Sequence, residues 1–220
     1  MTLNEKCSRL HHLLNEMEKH SFTAIEISKL SINNGIYIIF EKGEKAHGCE
    51  RIVRIGTHNK PYLLQQRLNQ HRQKRKGIFR RMIGCAALNK NNPNDSDIKR
   101  WYDKEFSSIS KEKVSMIHES VTNYIENKMV FVVFEVKGTG KKEKGTLFWE
   151  EKIIATIAGC NKCSSSKNWF GNYLPENLGN FSSGKKHGLW LSEGIGKEPL
   201  SDTEFEELEK IITKSKGRHK

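Results

Sequence analysis

No apolar run in the chain approaches the roughly 18 residues that a membrane span needs. The N-terminus, with Glu5, Lys6, His11 and His12, carries no apolar stretch like that of a secretory signal. The expectation is a cytoplasmic protein of prokaryotic type with no membrane partner. Cysteine is sparse: Cys7, Cys49, Cys85, Cys160 and Cys163 are five. An odd, mostly scattered set argues against a disulfide framework and suits a reducing compartment. Cys160 and Cys163 form a single CxxC. A structural zinc needs two further ligands, and with no second such pair in the sequence both are expected to be idle or buried thiols.

Acid is scarce in one stretch above all. Between Arg51 and Arg100 there are thirteen Lys or Arg against Asp95 and Asp97, so this segment holds almost all of the formal charge of +12. Lys and Arg neutralise phosphates and release their counterions, so a polyanion is the natural partner. A solubilising basic face is the alternative at this level, and composition does not separate DNA from RNA or acidic lipid. At 220 residues, with 35% hydrophobic content, the chain is long enough for one domain with a sizeable core. A mean hydropathy of −0.68 implies a polar surface.

Leu10, Leu13, Leu14 and Met17 recur at helical spacing within 3–19, and a short helical stretch at 24–30 leads to the turn Asn33-Asn34-Gly35. The run from Gly35 to Phe40 reads as a strand. After a Gly- and Lys-containing loop at 41–49, a second strand at 51–55 makes an antiparallel hairpin. Pro61 is placed to open a helix that continues through Leu64, Arg67, Leu68 and His71. Further helical pieces are expected at 78–88 and around Trp101, with a surface loop at 89–97 between them. A continuous apolar strand at 129–136, a helix at 146–158, a Ser-, Asn- and Gly-rich stretch at 159–188 and a charged helix at 203–213 complete the chain, with a disordered basic tail from Lys214.

Two helices carry polar residues where apolar ones are expected. At 100° per residue, Leu147, Ile153, Ile154 and Ile157 form one stripe, with Glu150 in its middle and Glu151 at its edge. A carboxylate aimed inward must be paired or bind a cation; the choices are a salt bridge with Arg67 and a hard ion such as Mg²⁺. Arg67 and His71, four apart, share one face along the margin of the Leu64/Leu68 stripe. An arginine so placed can bind a phosphate with two donors.

Gly35-Ile36-Tyr37, then Arg54-Ile55-Gly56, Arg67 with His71, and a later helical Glu150 together resemble the GIY-YIG nuclease superfamily. IGTHN, RLNQHR, GIFRRMIG, SSKNWFG and KKHGLW are similar to a bacterial group within it. The resemblance spans about Asn33 to Trp190. It implies an α+β, α/β/α-layered fold: a small three-stranded antiparallel sheet flanked by helices. Residues 1–32 would be a helical extension, 33–190 the nuclease domain with an insertion around 77–128, and 191–220 a helix and basic tail. The resemblance implies hydrolysis of DNA phosphodiester bonds with one divalent metal, Mg²⁺ or Mn²⁺. Tyr37 would deprotonate or orient the attacking water, with His71 supporting it. Arg67 would hold the scissile phosphate, Glu150 the metal, and Asn168 would help fix the site. Arg54 stands where the second motif tyrosine belongs; it is no base, but it can clamp phosphate. Arg72, Lys74, Arg75, Lys76, Arg80 and Arg81 are expected to track the backbone of duplex DNA, near the nucleoid. His58 could line the site, and Trp169 and Trp190 are read as core rather than as stacking platforms. Cutting both strands with one site favours a homodimer or repeated action. The alternative function is a nucleic-acid-binding module whose catalytic site is weakened or lost at Arg54.

Overall fold

The computed structural model describes residues 1–58, 60, 63–73, 77–141 and 144–216. Helix α1 (Leu3–Asn15) is started by a capping box between Thr2 and Glu5, which satisfies two otherwise orphaned donors. A two-residue strand β1 (His20–Ser21) and the short α2 (Ala24–Ser28) lead to the hairpin of β2 (Gly35–Ala46) and β3 (Cys49–Gly56). Helices α3 (Leu64–Arg72), α4 (Ile78–Asn91), α5 (Asp97–Asp103) and α6 (Lys111–Lys128) follow. After them come β4 (Met129–Glu135), α7 (Thr146–Ala158), α8 (Asn180–Lys186) and α9 (Asp202–Lys216).

The sheet has the order β1-β4-β2-β3 and is antiparallel throughout. The three expected strands are its body, and the fourth is β1, whose pairing is limited to His20 with Phe131 and Ser21 with Val130. Two residues give no periodicity to read.

Both faces of β2 are covered, which explains the unbroken apolar run at its start. Tyr37 and Ile39 point to one core, with Val53, Phe131, Val133, Leu64, Leu68 and Phe79. Ile36, Ile38 and Phe40 point to the other, with Cys7, Leu10, Trp149, Ile153 and Leu208. The first core is roofed by α2, α3, α4 and α6, the second by α1, α7 and α9, giving the expected three layers.

The hairpin is longer than its sequence suggests. Most of the loop expected at 41–49 is strand: Ala46 pairs with Cys49, and His47-Gly48 make a two-residue turn with φ of 52° and 80°. The register shifts between Phe40 and Lys45, where β2 carries more residues than the facing stretch of β3 between Glu50 and Ile52. There Glu44 is turned inward to pair with Arg51, Oε2 to Nη2 being 2.7 Å. Helix α7 occupies 146–158 as its apolar stripe predicts. Helix α3 begins at Leu64; Pro61, expected to open it, lies outside the described residues.

Candidate active site

The end of β3 and the N-terminal half of α7 bound a cleft of about 500 Å³, lined by Arg54, Arg67, Arg81, Leu147, Glu150, Glu151 and Glu193 among others. An adjoining hollow of about 300 Å³ shares Arg67, Leu147 and Glu150 with it and adds Thr57 and His58. Glu150 therefore faces the space the helical wheel assigned it.

Its partners differ from those of its neighbour. Glu151 pairs with Lys141, Oε2 to Nζ 2.5 Å, whereas among the described residues no cation lies within 4.0 Å of the Glu150 carboxylate. Burial pushes the Glu150 carboxyl up to about 6, against the pull of Arg54 and Arg67. The salt bridge with Arg67 that the sequence left open is absent, and the Arg67 Nη1 donates to Gln70 Oε1 at 3.2 Å. Among the described residues no group of three or more metal-ligating side chains includes Glu150. A lone carboxylate suits an ion that keeps waters and takes substrate oxygens, as Mg²⁺ does.

Tyr37 and His71 meet, the contact that the resemblance implies. The Tyr37 hydroxyl lies 2.7 Å from His71 Nε2, and His71 packs edge-on against Phe79. Burial, reinforced by Arg54, Arg67 and Arg80, holds the His71 imidazole well below its usual range, so it is neutral at pH 7. A neutral Nε2 can accept the phenolic proton and fix the hydroxyl. Tyr37 has no solvent exposure, so in this arrangement its hydroxyl is turned toward His71 rather than toward open cleft.

A family model described as the GIY-YIG domain matches residues 1–218. The chain belongs to the GIY-YIG family. Searches of curated proteins and of solved structures returned no match. A nuclease-type function is what the family suggests.

The glycines of the GIY-YIG motif have direct physical reasons here. A Cβ on Gly35 would sit 2.1 Å from the Phe134 carbonyl oxygen. A Cβ on Gly56 would sit 2.1 Å from the hydroxyl of Tyr37, which is its register partner across the hairpin. The second motif glycine is thus the floor on which the first motif tyrosine lies.

Arg54, in place of the second tyrosine, is 6% exposed. Its Nη1 donates to the Trp190 carbonyl and its guanidinium lies 4.8 Å from the centre of the Phe79 ring. Its Nε is buried without a protein acceptor. Arg81 is similar: it lines the cleft, rests against Phe181 and Tyr102, and has an unpartnered Nε.

Other expected residues fall elsewhere. Arg80, assigned above to the DNA face, is 1% exposed. Its guanidinium donates to the carbonyls of His71 (2.8 Å), Arg72 (3.1 Å) and His118 (2.7 Å), so it clasps the end of α3 to α6. Arg80→Met should cost about 3 kcal/mol in urea unfolding, because these three carbonyls and the Thr122 hydroxyl oxygen all lose its donors. DNA affinity per folded molecule should be unchanged. Arg72 is part-exposed, with Nη1 3.9 Å from Glu126. Lys74, Arg75 and Lys76 lie outside the described residues. Asn168 is exposed and lines neither hollow; its N–H donates to Ser166 Oγ at 3.2 Å, in the loop whose Ser166 holds Glu44. Trp169 and Trp190 are core, both indoles donating to the buried Glu41 carboxylate. His58, by contrast, lines the adjoining hollow, where its Nε2 accepts the Gly35 N–H at 3.3 Å. Glu193 was missed by the sequence reading: it lies in Leu191-Ser192-Glu193-Gly194, which has no periodicity to flag it. Among the described residues no helix is long and apolar enough to cross a membrane.

Proposed function

We propose that this GIY-YIG chain is a divalent-metal-dependent endonuclease that hydrolyses DNA phosphodiester bonds in the cleft between β3 and α7. The observation that carries the reading is the Glu150 carboxylate, bonded by the Thr57 N–H but without a cation partner among the described residues, in a cleft also lined by Arg54, Arg67 and Arg81. Glu150 would hold Mg²⁺ or Mn²⁺, with Glu193 as the second acid nearby; the ion, when bound, supplies Lewis-acid stabilisation of charge on phosphate and leaving oxygen. Arg67, half-exposed at the meeting of the two hollows, would hold the scissile phosphate with two donors. Arg54 and Arg81 would add positive potential from the cleft wall, each with a donor to spare. His71 would fix the Tyr37 hydroxyl. Tyr37 would orient the attacking water, or take its proton, once substrate opens the side chains around it.

Supercoiled plasmid with Mg²⁺ or Mn²⁺ tests this. Nicked and linear products are expected, with Arg67→Ala reducing the rate about 10²- to 10³-fold, the usual loss on removing a donor to transition-state charge. Plasmid left intact with either ion, while the protein still binds it, would defeat the catalytic claim. That result would favour a nucleic-acid-binding module, a second reading supported by Arg54 in place of the motif tyrosine and by the covered Tyr37. In that case affinity should fall steeply with salt, the slope counting the phosphates neutralised.

A further inference from the structure

The two cysteines set aside as idle have partners that the sequence hid. Cys160 and Cys163 sit just beyond α7, Cys7 lies in the second turn of α1, and His47 occupies the tip of the β2–β3 hairpin. Their ligand atoms all lie within 4.8 Å of one another. Cys163 Sγ is 3.2 Å from Cys7 Sγ and 3.2 Å from His47 Nε2, and Cys160 Sγ is 3.5 Å from the same nitrogen. We propose that Cys7, His47, Cys160 and Cys163 form a structural zinc site.

The chemistry favours zinc over the hard ion of the cleft. Three thiolates and one imidazole are soft to borderline ligands, and carboxylate is absent from the set. Zn–S of about 2.3 Å and Zn–N of about 2.0–2.1 Å place tetrahedral ligand atoms roughly 3.5–3.8 Å apart, inside the range seen here. Four protein ligands leave no open position, the mark of a structural rather than catalytic site. Lys162 donates its backbone N–H to the Cys160 sulfur, a bond that stabilises thiolate.

The surroundings separate ligands from bystanders. His11 touches the cluster, yet its Nδ1 is 3.0 Å from the Cys7 carbonyl and its Nε2 accepts the Ile52 N–H at 3.2 Å. Both nitrogens are occupied, so His11 is a brace. Cys49 directs its thiol to the Ala46 carbonyl, and Cys85 lies in the other core. The ion would tie α1 and the hairpin tip to the end of α7 at Ala158, eight residues or about 12 Å along that helix from Glu150. The inference stands apart from the nuclease reading.

The test uses the full chain, purified under reducing conditions with zinc present and then desalted. Elemental analysis should give about one zinc per chain, retained by Cys85→Ser and by His47→Cys but lost by Cys163→Ser and by His47→Ala. Cobalt in place of zinc should give thiolate charge-transfer bands and the intense visible bands of a tetrahedral site. If those variants do not fold, thiol labelling of the natural chain decides: three cysteines should be protected by zinc and react after chelation. A folded chain with no retained zinc overturns the proposal. So does a Cys7–Cys163 disulfide in place of metal, or zinc kept by both Cys163→Ser and His47→Ala.

Discussion

Glu150→Gln is expected to lower the cleavage rate roughly a thousandfold, about 4 kcal/mol of transition-state stabilisation, with the fold and DNA binding intact. The substitution keeps shape and removes only the charge that would hold the ion. Pulling a carboxylate away from three arginines should leave DNA affinity equal or higher, which distinguishes loss of chemistry from loss of binding. A pH dependence follows from the same group. Folding raises the Glu150 carboxyl from an ordinary 4.5 to about 6, so the folded chain favours the protonated form. The stability this contributes is fully present below 4.5 and is lost as pH rises through about 6. Metal binding has the opposite sense, since it needs the ionised form, and should weaken as pH falls through about 6. Thermal melts with and without Mn²⁺ should therefore diverge above about pH 6 in the natural chain and coincide in Glu150→Gln. Equal melting shifts in the two proteins would place the ion elsewhere.

The second large effect is expected from a single methyl group. Gly56→Ala puts a Cβ about where the Tyr37 hydroxyl and ring carbon lie, at 2.1 and 2.2 Å. Neither a covered ring in a two-sided core nor a paired strand can yield by that much without cost. Destabilisation of about 1–3 kcal/mol is expected from overpacking, together with displacement of the Tyr37 hydroxyl from His71 and loss of cleavage. Tyr37→Phe removes only the hydroxyl, so it should keep most of the stability and lose activity. Combining Gly56→Ala with Tyr37→Phe should rescue little stability, because the ring carbon remains in the way. Urea unfolding of the three proteins checks this; a stable Gly56→Ala chain with full activity would show that Tyr37 does not need this floor.

Much of the site was legible because its elements are long and periodic. Thirteen residues of α7 give a wheel on which Glu150 separates from Glu151, and the structure agrees in pairing Glu151 with Lys141 and leaving Glu150 without a cation partner. Arg67 and His71 are four apart on one helix, so their shared face needed no tertiary information. Arg80 was misread for the opposite reason. Its charge and basic neighbourhood suggest solvent, but carbonyls of α3 and of α6, the latter 38 positions away at His118, take its donors.

The sequence by itself determined the three main strands, the helix at 146–158 and the face of it that carries Glu150, each from local apolar periodicity, while the α/β/α layering came from the resemblance to the GIY-YIG superfamily. Only the tertiary structure decided which polar groups meet. Cys7 and Cys163 are 156 positions apart, and His47 comes to them because the hairpin outruns its expected length. Contacts between such distant positions depend on how the layers close, and no pattern within one element records that.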